Sequence, residues 1–461
     1  MPRSRSSKTL STAVLGALAL LLAAPSVRAD FASGVAAYNE GRWDAALREF
    51  RALAELGHVE SQFNIGIMHM RGEGVPRSEA RGYAWVALAA SAGHPKAAEV
   101  ERELKPVYGA DAAGLVADLE SRFGLSAVRA QRLPEILPNC EYSTRTPARL
   151  SRVTRNLYPE GMQYTGAQGW MVLDFAVAPD GTARDYTILS SNSPDAWRPA
   201  AEEAMKEWRW DPALRDGEAV WSRHTVVMRF LVDDAGAFAI SRWLGKVKEK
   251  ADAGDAMHQY LYGIVIAGHP ELRKPWSDAL PWVEKAAIGG FPLAEYQLGM
   301  SLLEGRGCTA DRGKALFWLQ RAAARGVAEA QHTLAMELLD EPTPVALTAS
   351  PIDLLRQAAQ QDYRSSNMAL ARLLATGPEV TREGASEAVE RSAAALKKNP
   401  RDPAALEAHA AALAAAGRFG EAVDHQRKAL SLATKRGWAL TPLQERLQAY
   451  EAGQPWRQPF H

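Results

Sequence analysis

Through the second half of this chain the same residue types return every 36 positions. Gly254, Gly290 and Gly326 form one series; Trp282 and Trp318, continued by Leu354, form another. Ala286-Ala287, Ala322-Ala323 and Ala358-Ala359 make a third series, and Ala294 with Ala330 a fourth. A fixed period in the mid-thirties is the signature of stacked helix pairs, each too small to bury its own apolar face alone. Such arrays bind other proteins along an extended surface, so the period itself points to recognition rather than catalysis.

Composition supports an ordinary folded chain. Hydrophobic residues make up 47% and charged residues 23% of 461 positions, far from the disordered regime. Formal net charge is zero, with no long run of one sign, so neither nucleic acid nor an anionic membrane surface is indicated as partner. Arg3, Arg5 and Lys8 precede an almost wholly apolar run, Leu10 to Ala24, and Val27-Arg28-Ala29 suits a cleavage site. Residues 1–29 are expected to be an export signal, with an apolar part shorter than the roughly 20 residues of a bilayer span. Without them, 50 basic side chains face 54 acidic ones. Only Cys140 and Cys308 are present, so even an exported chain is no disulfide-built scaffold, and Cys308 is read as a small apolar filler.

After the signal, Val35, Tyr38, Trp43, Ala46, Leu47 and Phe50 carry helical spacing, broken at Gly41 into two helices. Residues 57–93 form one full unit. Ile65-Gly66 lies on its first helix, Gly72-Glu73-Gly74-Val75-Pro76 makes the turn, and Tyr83, Trp85 and Ala89-Ala90 lie on the second. Residues 126–152, with Pro134, Pro138 and Pro147, read as a linker. In the second half Leu298-Gly299, Gly305-Arg306-Gly307, Trp318, Ala322-Ala323 and Gly326 repeat the pattern, which resembles the Sel-like branch of the tetratricopeptide family. The unit near 328–362 departs from it, with Ala335 for the glycine and Leu354 for the tryptophan. Beyond Pro400 a plainer tetratricopeptide pair and a capping helix, Pro442 to Tyr450, are expected.

Between the repeat blocks the rhythm changes. Met171, Leu173, Phe175 and Val177 alternate with Val172, Asp174 and Ala176, and Pro179-Asp180-Gly181 turns into a second strand, Thr182 to Leu189. Ser193 to Lys206 reads as a helix, and His224 to Val232 as a last strand. This order, with Tyr158-Pro159, Gly169, Asp180-Gly181, Ala200-Ala201, Trp210, Pro212, Gly217 and Phe230, is similar to the TonB C-terminal domain. The resemblance implies a periplasmic domain whose last strand has a free edge, and in that family the edge pairs with a short extended peptide of outer-membrane receptors. Thr225, Val226, Val227, Met228, Arg229, Phe230 and Leu231 are therefore the candidate partner-binding residues. Their main chain would pair with an incoming strand, and side chains such as Thr225, Val227 and Arg229 would tune selectivity. The same edge is also open to capping by the chain itself or by a second copy.

The expected architecture is an α-helical repeat solenoid, Sel-like and tetratricopeptide, in two blocks flanking a small α+β TonB C-terminal-like domain. Its expected segments are a signal at 1–29, repeats at 30–125, a linker at 126–152 and the α+β domain at 153–235. Sel-like repeats at 236–375 and a tetratricopeptide pair with its cap at 376–461 complete it. No catalytic residue, cofactor or metal site is expected. Gly-x-Ser-x-Gly and His-Glu-x-x-His are absent, and Gly305-Arg306-Gly307-Cys308-Thr309-Ala310 follows a helix, which makes it a repeat turn rather than a dinucleotide loop. His224 is read as a solvated or edge histidine and Asp233-Asp234 as a solvated loop. The expected partners are proteins, an outer-membrane receptor of the TonB-dependent kind or an envelope enzyme, with no nucleic acid or small-molecule substrate. Self-association through the edge strand is a further expectation. The expected location is the periplasm. An uncleaved inner-membrane anchor is the lesser expectation, since the apolar run is short for a span. Force transmission fits poorly, because the N-terminus reads as cleavable, no Pro-rich spacer is present and helical repeats flank the domain.

Overall fold

A computed structural model describes residues 30–144, 146, 148–152, 169–191, 194–215, 217–230, 235–268, 274–341, 349–377, 380–398, 400–435 and 440–457. Residues 1–29, the expected signal, lie outside the described residues, as does Asp233-Asp234. Among the described residues no helix is long and apolar enough to cross a membrane.

The N-terminal block comprises α1 (Phe31–Asn39), α2 (Trp43–Ala54), α3 (Val59–Arg71), α4 (Glu79–Ser91), α5 (Pro95–Tyr108), α6 (Ala113–Phe123) and α7 (Leu125–Arg132). The central part holds β1 (Arg149–Arg152), β2 (Gly169–Val177), β3 (Ala183–Ser191), α8 (Pro194–Glu207), β4 (Arg209–Asp211), β5 (Ala213–Arg215), β6 (Glu218–Val220) and β7 (Ser222–Phe230). The second helical block runs from α9 (Ala235–Asp252) and α10 (Ala256–Gly268) through α11 (Trp276–Ile288), α12 (Pro292–Glu304), α13 (Arg312–Ala324) and α14 (Ala328–Asp340). It continues with α15 (Pro351–Gln360), α16 (Arg364–Thr376), α17 (Arg382–Lys398), α18 (Pro403–Ala415), α19 (Phe419–Lys435) and α20 (Thr441–Glu451). The chain is thus a helical repeat protein with a small strand-containing region in its middle.

Each repeat is closed by the same local devices. The chain leaves a unit's second helix through a left-handed residue, and Gly57, Gly93, Gly254, Gly290 and Gly326 all hold φ between +84° and +93°. Thirty-six residues after Gly326 the position falls to Asp362, which accepts φ +64° without being glycine. Five residues past Gly57, Gly254 and Gly326 stand Gln62, Gln259 and Gln331. Each side-chain amide donates to a carbonyl eight residues earlier, at Ala54, Ala251 and Ala323. The carbonyl at the end of one helix, which already accepts from the N–H of the turn glycine, thereby gains a second donor from the next helix. At the equivalent place after Gly290 stands Glu295, fully buried and ion-paired with Arg321 and Arg325.

Within a unit the two helices approach most closely at Gly66, Gly263 and Gly299. A Cβ added there would come within 3.0, 3.0 and 3.2 Å of the carbonyl oxygens of Gly82, Ala279 and Ala315, each 16 residues on. The glycines of the pattern are therefore packing residues, and the buried Trp276 and Trp318 fill the space between neighbouring units.

The central sheet has the order β3-β2-β7, antiparallel throughout, with small two-stranded sheets β1-β4 and β5-β6 beside it. The alternation read for β2 has an unexpected cause, because both of its faces are buried. Met171, Leu173, Phe175 and Val177 pack with Trp197, Ala200, Ala201 and Ala204 of α8. Val172, with Val227 of β7, enters a core shared with α10, α11, α12 and α13, and that core also takes in Leu56, Val128 and Leu133 from the N-terminal block.

The two repeat blocks are in direct contact. Arg129 pairs with Glu284 at 2.7 Å, the Trp318 indole donates to the Arg132 carbonyl at 2.7 Å, and Lys314 donates to the Leu133 carbonyl at 2.8 Å. Inside the span read as a linker, α7 forms the N-terminal block's contact with α13. Residues 136–144 then lie antiparallel along the turn that follows α12: Leu137 N–H donates to Gly307 O, Gly307 N–H to Glu141 O and Ser143 N–H to Gly305 O. Gly305 and Gly307, at φ +65° and +74°, make that turn. It serves as a docking strip for the chain's own lead-in to the sheet.

Candidate functional site

The candidate site is the outer edge of β7 and what surrounds it. Every residue of β7 pairs with β2, from Ser222 opposite Val177 to Phe230 opposite Gly169. Among the described residues β2 is its only strand neighbour. Val226, Met228 and Phe230 face α8, and Phe230 stacks on Trp197 with ring centroids 4.9 Å apart. The same tryptophan lies over Gly169, where an added Cβ would fall 2.0 Å from the indole, so the start of β2 is glycine for want of room.

The opposite face of β7 is turned onto the repeats. Val227 is 4% exposed and packs in the shared core, where Trp170 meets Trp243 of α9 at 4.1 Å. Thr225 donates its hydroxyl to Asp174 Oδ1 at 3.1 Å, and Arg223 Nε donates to Asp174 Oδ2 at 2.8 Å. Asp174 and Arg223 are both buried, and the guanidinium sits 5.7 Å from the Tyr296 ring of α12. Although burial alone works against the charged guanidinium, Asp174 and the nearby tyrosines Tyr296 and Tyr363 raise its pKa well above the ordinary value. Burial pushes the phenols of Tyr260 and Tyr296 well up, so both stay protonated and neutral. The result is a polar seam holding sheet to solenoid.

The edge itself is covered. The Tyr142 hydroxyl donates to the Arg223 carbonyl at 3.2 Å. At the end of α10, a Cβ on Gly268 would stand 3.1 Å from the Thr225 carbonyl oxygen. Successive carbonyls of a strand point to opposite edges, so Arg223, Thr225, Val227 and Arg229 form the outward series, and Val226 and Met228 point at β2.

Of the residues singled out from the sequence, Thr225 to Phe230 all lie on β7, and Leu231 lies outside the described residues. The side chains of Thr225 and Val227, expected to read a peptide, are instead engaged by Asp174 and by the repeat core. The Arg229 side chain is not among those described. His224 is not solvated: it is 9% exposed, hydrogen-bonded to Ser222 Oγ at 3.1 Å and 5.1 Å from the Trp210 ring. Cys140 and Cys308 are free thiols; Cys308 is fully buried, and burial pushes its thiol up to about 12, out of the reactive range. Among the described residues no group of three or more His, Cys, Asp or Glu is placed to hold a metal. Tyr142, Gly268 and the Asp174–Arg223 pair were missed as site residues. The signal for the pair was a charge in the middle of an otherwise apolar strand, which needs a buried counter-charge.

Comparison with known proteins agrees with this layout. Residues 154–232 match the model for the Gram-negative bacterial TonB protein C-terminal domain. Residues 59–94 and 292–327 match the Sel1 repeat. A protective antigen of uropathogenic Escherichia coli with an SLR fold is 17% identical; the match covers 93% of this chain and 81% of that one, at a TM-score of 0.38. A Sel1 repeat protein from Oxalobacter formigenes is 16% identical over 48% of this chain and 97% of its own, at 0.35. Yeast Tom70 is 11% identical over 93% and 90%, at 0.24. Superpositions this loose bear on neither function nor partner. No curated protein matches the chain. The chain combines Sel-like repeats with a TonB C-terminal-like domain, both of them protein-interaction modules, and the second suggests an envelope protein.

Proposed function

We propose that this is a non-enzymatic periplasmic interaction protein. The TonB-like domain receives an extended segment of an outer-membrane transporter or other envelope partner along β7, and the helical repeats hold a second partner. The observation that carries this reading is the position of β7: among the described residues it ends its sheet, with a strand neighbour on one side only, in a domain of the TonB type. Strand addition draws affinity from main-chain hydrogen bonds, so it makes little demand on side chains that are already committed elsewhere. A second reading is favoured by the covered edge. Here the chain is a scaffold for envelope enzymes, binding through the repeats alone with the sheet as a fixed part of the solenoid.

The test is affinity capture from solubilised outer membranes with tagged residues 30–461, alongside Val227→Pro and Met228→Pro. Val227 belongs to the outward series, so proline there removes a donor from the edge, and at Met228 it removes one facing β2. Loss of a transporter with Val227→Pro, in a protein that still melts cooperatively, supports strand addition. Unchanged capture by both folded variants assigns binding to the repeats.

A further inference from the structure

We propose that the β7 edge is a latched site: the Tyr142 hydroxyl and the last turn of α10 hold it shut, and both must withdraw before an extended segment pairs there. This deepens, and rests on, the strand-addition reading above.

A sheet edge taken out of water needs its outward N–H and C=O groups satisfied or covered. Arg223 and Val227, both in the outward series, are 7% and 4% exposed, so this stretch of the edge is largely withdrawn from solvent. Tyr142 supplies a donor to the Arg223 carbonyl, the same acceptor an incoming strand's N–H would use. The hydroxyl and an added strand therefore compete for one position. Gly268 excludes the strand by volume. A paired strand runs about 4.8 Å from its neighbour, and the Gly268 backbone stands in that lane, close enough that even a Cβ would crowd the Thr225 carbonyl. Glycine is what lets the helix end come so near.

Both parts of the latch hang from the solenoid rather than from the sheet. Tyr142 sits in the segment laced to the turn after α12, where Ser143 Oγ donates to Gly305 O at 3.1 Å and to Cys308 O at 2.9 Å, and Thr144 Oγ1 to Glu304 O at 2.6 Å. Gly268 ends a helix of the second block. A partner that shifts this turn or α10 changes access to the edge, and linkage requires that a strand bound at the edge favours that partner in return.

The experiment uses the full chain with Tyr142→Phe and, separately, Gly268→Leu. Hydrogen exchange across residues 222–230 reads the latch, and a fluorescent peptide of the β7 sequence, Ser222 to Phe230, reads the opened edge. One hydrogen bond of ordinary net strength corresponds to about a 2- to 13-fold change in opening. Tyr142→Phe is expected to speed exchange by that factor and to bind the peptide more tightly than the unaltered chain. Gly268→Leu, whose side chain enters the same lane, is expected to weaken peptide binding even where it speeds exchange. Exchange at the unaltered rate in folded variants overturns the latch, whatever the peptide does. Faster exchange with no peptide bound by any variant overturns strand addition at this edge, and the latch as its gate along with it. Tyr142→Phe keeps the ring and its packing, so it carries the test if Gly268→Leu fails to fold.

Discussion

Asp174 and Arg223 have almost no exposure and lie on adjacent strands, with the sheet on one side and tyrosines of the solenoid on the other. A buried pair is costly to halve, because the surviving charge stays desolvated. Asp174→Ala or Arg223→Ala alone is expected to cost about 3–5 kcal/mol, and Asp174→Leu with Arg223→Met together far less. Urea denaturation of the three variants, followed by tryptophan fluorescence, checks this; equal losses in the single and double changes would remove the pair's role. His409 gives a different titration. Burial, then the neighbouring His425 and Arg418 charges, push it down to about 4, and its Nδ1 lies 2.8 Å from Ser392 Oγ. Its ordinary value is near 6.5, so as pH falls the unfolded chain takes up the proton first. The stability it contributes is complete above pH 6.5 and is lost progressively toward pH 4. The melting temperature of the C-terminal repeats is expected to drop over that window, and His409→Gln to flatten the drop. At this scale the sequence was only partly legible. A glycine repeating every 36 residues announces a left-handed turn, but Asp362 does the same work with a residue that blends into any loop.

At the scale of elements, the helices owe their order to backbone groups that neighbouring side chains satisfy. Gln331 is a second donor to the Ala323 carbonyl, beside the Gly326 N–H, so Gln331→Leu is expected to remove one hydrogen bond at a buried position and cost about 0.5–1.5 kcal/mol in a thermal melt. The glycine contact of the second block is equally exacting. Gly299→Val would drive two methyl groups toward the Ala315 carbonyl and Leu319, an overpacking of about 1–3 kcal/mol, whereas Ala335 shows that the next unit has room for one carbon. Helix pairs, hairpin and last strand were all legible, because their apolar positions keep a period over nine or more residues. The strands β4, β5 and β6 were not, since three residues each cannot establish alternation. Eight-residue α7, followed at once by Pro134, read as linker for the same reason. The covered β7 edge was illegible on other grounds. Tyr142 and Gly268 reach it from segments 81 and 43 residues away in the chain, and no local pattern encodes such a meeting.

For the whole molecule, the decisive feature is a core to which the sheet and both helical blocks contribute. Residues 148–234 cut out alone would expose Trp170, Val172 and Val227, and the excised piece is expected to self-associate, as light scattering on a size-exclusion column would read. A monodisperse fragment with a cooperative melt would show the sheet to be independent of the solenoid. The composite core has one more consequence, in time rather than in space. Trp318 anchors Arg132 from 186 residues further along the chain. At synthesis rates of about 5–20 residues per second, α7 is made some 10 to 40 seconds before the surface it docks on. The first block can assemble early, but Val128 and Leu133 wait bare until the second block arrives. Helpers that shield nascent chains would find their natural place of work in that interval.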